Sequence, residues 1–487
     1  MSINVPAGAT QRTPESPEHP SPTDLGSAEE TTPTRPGTWA ALRPLALRLH
    51  FYAGLLVAPL LFLAATTGLL YALSFQAEEI IYRHELRVPV GETHRPLSDQ
   101  VAAAQSAHPE GTVSAVWPAP EVDATTRVLM NAPGLADGTS LAVFVDPYTN
   151  EVRGALPSSG GALPVRTWLS SLHANLQLGE FGRHYSELAA SWLWVVALGG
   201  LALWVGRRRR GRAQLIMPER GATGRRRTLS WHGSIGLWAV TGLVALSATG
   251  LTWSRYAGEH IGAVQGQLGG ATPTISAALV PGAGGHQGHE GHGTSGATPT
   301  GEGIGLDQVV ETAREQGVED RIQVILPVEG SGYVVRERDT HFPVHLDSVA
   351  VDPADGTVLD VLRFEDYPVL AKLTRFGIDA HMGVFLGLAN QLALAALAVA
   401  LMALTVWGYR MWWLRRPTRE RRFSAGRAHP RGTWRKVPVT VLLPLAAVVA
   451  LVGWFVPLLG ISLLAFLALD LLWGLRTRLR DRGVHPG

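Results

Sequence analysis

Cysteine is absent from the 487 residues. That excludes disulfides, iron–sulfur clusters, cysteine-ligated zinc and thiolate-ligated haem within the chain. Any bound metal must take imidazole, thioether or oxygen ligands. Charge is scarce too: 17% of residues are charged against 46% hydrophobic, with mean hydropathy +0.11. A soluble domain carries about a quarter charged residues. No glycine-rich dinucleotide fingerprint follows a predicted strand, and no flavin domain is legible. Neither a nucleophile elbow nor a His-Glu-x-x-His helix occurs, which disfavours a hydrolase.

Long apolar runs are plentiful. Phe51–Phe75 contains no charge and exceeds the ~20 residues needed to cross a bilayer. Similar runs occupy Leu188–Val205, Leu229–Trp253, Leu386–Trp407 and Val437–Leu475, the last with the single charge Asp470. Pro457 and Gly460 predict a turn between two short helices there, Val439–Phe455 and Ile461–Leu475. Six spans result: 46–75, within 164–206, 229–253, within 373–410, and the hairpin 437–475.

Arginine sets the orientation. Segment 207–228 carries Arg207–Arg210, Arg212, Arg220 and Arg225–Arg227 against Glu219 alone. Segment 411–436 carries nine basic residues from Arg415 to Lys436 against Glu420, and tail 476–487 carries four arginines. Positive-inside bias places all three, and both termini, in the cytoplasm of a multi-pass protein of the cytoplasmic membrane. The basic excess reads as topology and contact with anionic membrane lipid, and a formal net charge of +2 gives no footprint for nucleic acid. Residues 1–45, rich in Pro, Thr, Ser and Glu, predict a disordered cytoplasmic tail. They do not resemble a signal peptide, because the first apolar run starts too late and is too long.

Two segments project outside, 76–163 and 254–372. Each predicts one helix and four strands: Leu97–Ser106 then Thr112–Trp117, Thr126–Asn131, Leu141–Val145 and Glu151–Ala155; Leu306–Glu315 then Arg321–Leu326, Gly332–Arg336, Ser348–Val351 and Thr357–Val361. The last strand pairs match, Val143-Phe-Val-Asp-Pro-Tyr-Thr-Asn-Glu-Val152 beside Val349-Ala-Val-Asp-Pro-Ala-Asp-Gly-Thr-Val358, each with hairpin chemistry at Asp-Pro. The fold class is therefore an α-helical integral membrane bundle with two extracytoplasmic α/β units, built by internal duplication. Units this small are marginal alone and should pack on each other or on the helix ends. Insert 282–303 is glycine-rich and carries His286, His289 and His292. It reads equally as an uncommitted linker and as a flexible metal-binding run without defined geometry.

Four of the seventeen histidines sit at span ends in alternation. His50 and His232 fall at the cytoplasmic face, and His173 and His381 at the outer face. Ionisable residues at membrane depth are costly and mark functional sites, and neutral imidazole is a common axial ligand of haem iron. Two such pairs fit two haems and electron transfer, because bis-histidine ligation leaves iron no open position. Gly54, Gly233 and Gly236 near the inner pair would let a flat macrocycle approach the backbone. Arg183, Arg255 and Arg375, near the outer helix ends, are candidates for propionate contacts. His184, eleven residues after His173 and about three helical turns on, is the alternative outer ligand.

Dispersed motifs add a family likeness. His50-Phe-Tyr-Ala-Gly-Leu55 leading to Thr67-Gly-Leu69 resembles the opening of the PepSY-associated transmembrane proteins. So do Leu172-His-x-x-Leu176 with Gly179 and Gly182-Arg183, Thr249-Gly-Leu-Thr-Trp253, and His381-Met-Gly-x-x-x-Gly387 with Asn390-Gln391. The likeness runs from about Arg48 to Arg416, and the two outer units resemble PepSY domains. It implies two b-type haems, with His50, His173, His232 and His381 on the family's recurrent histidines, and a transmembrane ferric reductase acting on ferric siderophore or another ferric chelate. The electron donor would be a quinol or a cytoplasmic reductase docking on the basic loops. Two rival expectations are a haem-free PepSY-type protein that binds peptides or regulates a protease, and a metal-handling protein centred on His286, His289 and His292.

Overall fold

The computed structural model describes residues 38–207, 213–279, 303–319, 321–415 and 432–482. The expected tail and most of insert 282–303, with His286, His289 and His292, lie outside the described residues, as do parts of the three arginine-rich segments.

The first span is two helices, α1 (Thr38–Leu56) and α2 (Ala58–Ala72), bent by 58°. Pro59 causes the break. It has no N–H for the Leu55 carbonyl and its ring crowds the preceding turn. The Tyr409 hydroxyl donates to that freed carbonyl at 2.8 Å. Short helices α3 (Ser74–Ile81) and α4 (Arg83–Leu86) lead to α5 (Leu97–Ala107) and strands β1 (Thr112–Trp117), β2 (Thr126–Asn131), β3 (Ser140–Val145) and β4 (Val152–Ser158). Helix α6 (Pro164–Asn175) then turns into the long α7 (Gly179–Val205), and a single turn α8 (Ala213–Ile216) precedes α9 (Gly224–Thr252).

The second half repeats the order. After α10 (Tyr256–Gln267) come α11 (Leu306–Glu315), β5 (Ile322–Ile325), β6 (Tyr333–Glu337), β7 (Ser348–Val351) and β8 (Val358–Leu362). A lead-in helix α12 (Val369–Met382) and the long α13 (Leu388–Trp413) follow, and a hairpin of α14 (Val439–Phe455) and α15 (Pro457–Arg482) closes the chain. Among the described residues, α7, α9, α13 and α15 are long and apolar enough to cross a membrane, and bent α1–α2 makes a fifth candidate. The protein is thus a multi-pass helical membrane protein. The shorter α14, 17 residues long, leaves the expected sixth span short of a full crossing. The hairpin turn lies at Val456, ahead of the expected Pro457–Gly460 turn, because proline suits a helix's first turn. Gly460 instead lies inside α15 against Gly453, where neither helix carries a side chain.

The two α/β units form one sheet of eight antiparallel strands, β4-β3-β2-β1-β5-β6-β7-β8. Their first strands meet at Ala115↔Ile325 and Val116↔Val324, so neither unit keeps a free β1 or β5 edge. The matched turns are alike in detail. Asp146 Oδ1 accepts the Tyr148 N–H and Asp352 Oδ1 the Ala354 N–H, each at 2.8 Å. Asn150 and Gly356 then take positive φ at equivalent positions. One sheet face packs Val116, Val128, Val324 and Val335 beneath α5 and α11. The other face, with Trp117, Leu129 and Phe144, looks toward the ends of the helical bundle, with α6 against β4 and α3.

Helix α10 is anchored to the bundle by Glu187 of α7, which is 2% exposed. Its carboxylate accepts the N–H groups of Tyr256 and Ala257 at 3.2 and 3.0 Å, two of the donors a helix start leaves unpaired. Glu187→Ala should destabilise the protein by about 1–3 kcal/mol, the cost of orphaned buried donors, seen as a lower thermal midpoint in detergent. Glu187→Gln, which keeps one acceptor, should fall between.

Candidate functional site

His50 on α1 and His232 on α9 meet at the end of the bundle remote from the sheet, with ring centroids 6.3 Å apart and planes at 76°. A ligating imidazole nitrogen sits about 2 Å from its metal. Two imidazoles on opposite sides of one metal therefore have centroids roughly 6 Å apart. His50 Nδ1 lies 3.0 Å from the Val196 carbonyl of α7, and His232 Nδ1 lies 3.0 Å from the Leu404 carbonyl of α13. A carbonyl only accepts, so each Nδ1 carries the proton and each Nε2 keeps its lone pair. Gly200, one helical turn after Val196, makes the approach possible: a Cβ there would stand 2.9 Å from His50 Cε1.

His173 on α6 and His381 on α12 lie at the sheet end, within electrostatic reach of each other. The supporting acceptor here is a threonine. Thr67 Oγ1 is 2.9 Å from His173 Nδ1, and Thr249 Oγ1 is 2.7 Å from His381 Nδ1. Each hydroxyl donates back to its own helix, Thr67 to Leu63 at 3.0 Å and Thr249 to Ala245 at 2.8 Å. The oxygen is left to accept from Nδ1–H, so these rings too keep Nε2 as the free lone pair. The following glycines admit the rings: a Cβ on Gly68 or Gly250 would lie 3.2 or 3.5 Å from the imidazole.

The lead-in helices are held by their ends. Leu176 and Gln177 take positive φ after α6, and Gly182 lies so close to the Asn175 carbonyl that a Cβ would overlap it. Gly383 ends α12 at φ 81°, and Asn390 donates to the Ala380 carbonyl at 2.9 Å. The α6–α7 turn also separates His173 from His184, so the two do not share one helix face. His184 bonds through both nitrogens, Nδ1 to the Glu180 carbonyl at 2.8 Å and Nε2 to the Tyr256 hydroxyl at 3.1 Å. The arginines are engaged as well. Arg183 and Arg255 both pair with Glu180, and Arg375 pairs with Asp379 at 2.9 Å. Gly233 packs on the Trp204 ring, while a Cβ on Gly54 would meet nothing within 4 Å and one on Gly236 only Leu404 at 3.7 Å.

Residues 47–415 match the family described as PepSY-associated TM region. The chain belongs to that family. No match was found among curated proteins. Thr67 and Thr249 stand in the repeated Thr-Gly-Leu motif, and its occurrence once per half, next to a span end, was the available signal for their supporting role. Val196 and Leu404 had no such signal, because a backbone carbonyl leaves no trace in side-chain identity. His260, stacked 5.3 Å from Trp454 and bonded to the Phe455 carbonyl at 2.9 Å, also escaped the sequence reading. In this member of the PepSY-associated family, Thr67→Val and Thr249→Val remove the Nδ1 acceptors of one histidine each. The expected outcome is a mixed tautomer at His173 or His381 alone, read from imidazole nitrogen shifts in histidine-labelled protein.

Proposed function

We propose that this protein is a diheme b-type electron carrier of the cytoplasmic membrane that reduces a ferric chelate, ferric siderophore being the class the family likeness implies, on the outer side. The observation that carries this reading is the facing pair His50 and His232, 6.3 Å apart with both Nδ1 atoms committed to backbone carbonyls. Among the described residues no group of three metal-ligating side chains occurs. Two imidazoles alone make a poor cage for a bare ion, whereas a macrocycle brings its own equatorial nitrogens. His173 and His381 supply the second donor set, and the engaged nitrogens of His184 favour His173 over it.

Haem, when bound, supplies a one-electron couple; the chain supplies the rest. The Nδ1 acceptors fix ring orientation and raise ligand basicity. Surrounding apolar helices exclude water and so influence the potential of a bound redox group. His232 and Thr249 lie seventeen residues apart on the single helix α9, roughly 25 Å along its axis. That span approaches the ~30 Å thickness of the hydrocarbon core, which suits one site near each surface. Arginine-rich segments at the His50 end support a cytoplasmic inner face and cytoplasmic termini. The donor is a quinol or a separate cytoplasmic reductase. One electron per ferric ion yields Fe(II), which hard-oxygen chelators hold less tightly.

The test is a reduced-minus-oxidised spectrum with a haem assay on protein expressed with haem supplement. Two haems per chain are expected. His50→Ala and His232→Ala should remove the same haem, and His173→Ala and His381→Ala the other. Less than one haem per chain overturns the reading, and a colourless protein favours the peptide-binding alternative. Loss of the outer haem in His184→Ala would overturn the outer pairing.

A further inference from the structure

The sheet face that looks toward the bundle carries arginines among its apolar residues. Arg127 of β2 and Arg338, just past β6, converge on Trp117. The Arg338 guanidinium stacks 3.2 Å from the Trp117 ring centre, and that of Arg127 lies 5.6 Å away. From below, Arg166 of α6 donates to the Gly161 carbonyl at 3.2 Å, and Gly161 in turn lies against Arg338 and Trp117. Arg336 and Arg375 are near enough to act electrostatically on Arg338.

The acids nearby are already engaged. Glu78 pairs with Arg166 at 3.1 Å, Asp379 with Arg375 at 2.9 Å, and Glu79 with Arg87 at 3.4 Å. Among the described residues, neither Arg127 nor Arg338 forms an ion pair. Burial first, and neighbouring arginines second, hold Arg338 down at about 9 and Arg127 at about 10, with Glu78 and Glu79 offsetting part of the effect at Arg127. Two buried polar atoms in the same cluster, Trp117 Nε1 and Arg166 Nε, have no hydrogen-bond partner, although buried donors are nearly always satisfied. A cavity of about 460 Å³, lined by Arg127, Arg166, Phe75, Leu86 and Leu163 together with Glu78 and Glu79, opens beside them. The arginines outnumber these acids and Arg127 has no ion-pair partner of its own, so an anion with several acceptor oxygens would supply one beside the orphan Arg166 Nε.

We propose that this chamber binds a carboxylate-bearing anion through Arg127 and Arg166, with Arg338 stacked on Trp117 behind them, and, resting on the electron-transfer reading, that the anion is the ferric chelate that accepts the electron. Guanidinium forks pair two-pronged with carboxylates, which favours polycarboxylate chelates over neutral or cationic ones. The chamber lies between β2, α3 and α6, the helix that carries His173, on the electron's exit side.

The experiment uses full-length protein in detergent and titration calorimetry with iron-free citrate, ferric citrate and an uncharged ferric trihydroxamate. Both citrate forms should bind, and more weakly at high salt. Arg127→Gln should weaken them by at least about tenfold, the loss of a charge-assisted hydrogen bond, Arg338→Gln, which removes a positive charge behind the wall, by less, and the double variant should abolish binding. Arg127→Lys, which keeps the charge, should retain part of the affinity and shows that a loss in Arg127→Gln is not misfolding. Wild-type citrate affinity in the double variant overturns the proposal. So does loss of one haem from that variant with citrate binding intact, which would assign the arginines to the haem's own propionates. Arginine-dependent citrate binding by a colourless protein leaves the chamber standing and removes only its role as acceptor site. Two haems without citrate binding does the reverse.

Discussion

Four imidazoles in this bundle share one constraint: each Nδ1 is committed to an oxygen on a neighbouring helix, which leaves Nε2 as the only nitrogen available to a ligand. An imidazole buried without such a partner would sample both tautomers and several rotamers, and an unpaired ring N–H at membrane depth is costly. Here Val196, Leu404, Thr67 and Thr249 remove that freedom. Helix packing follows from it, because a ring reaches a backbone carbonyl or a threonine hydroxyl only where the opposing helix lacks bulk. Gly200, Gly68 and Gly250 stand at three of those approaches. The glycines are therefore best understood through the histidines they admit.

The fused sheet extends the same constraint to the sheet end of the bundle. His173 and His381 sit on helices that do not themselves cross the membrane, so something outside must hold those helices in place. Pairing of β1 with β5 turns two marginal units into one layer with a continuous core under α5 and α11. That layer ends in the segments leading into α6 and α12. The buried Glu78 carboxylate takes the Arg166 N–H at 3.0 Å as well as its guanidinium, tying the start of α6 to α3. On the other side Asn390 ties α12 to α13. His173 and His381 are thus positioned from both ends of their short helices.

Much of this was legible in the sequence. Strand and helix positions in both units follow from alternation and 3.6-residue periodicity, and the Asp-Pro repeat disclosed the duplication because those turns demand particular residues. The apolar runs located the bundle. Tertiary choices were less legible. Sequence gave no sign that the units would join through β1 and β5, since any exposed edge strand offers the same donors and acceptors. Glycine spacing along one helix pointed to Gly54, Gly233 and Gly236, but the partner of a glycine lies on another helix, as Trp204 does for Gly233. His184 looked continuous with His173 because Leu176 and Gln177, ordinary helix formers, take left-handed backbone there. The bend after Leu56 turned on Pro59, whose cost is lowered by a hydroxyl more than 300 residues away, that of Tyr409.

The terminal hairpin lies beyond the duplicated halves and beyond the family match, yet it bears on both levels of the site. A carboxylate in so apolar a run is expensive unless it is paired, and Asp470 of α15 pairs with Arg48 of α1, two residues before His50. That pair sets how far α15 slides along the bundle, since a shift of one turn would leave both charges unmatched in lipid. Farther along α15, Ser462 accepts the indole N–H of Trp192 on α7 at 2.9 Å. At the turn, the Phe455 carbonyl and the Trp454 ring hold His260 on α10, the helix whose start Glu187 anchors. One hairpin therefore fixes α1 near His50 and α10 toward the sheet end of the bundle. Asp470 is the only acid in the apolar stretch 439–475, and its pairing selects one alignment, because the apolar residues around it would tolerate many registers and the ion pair only one.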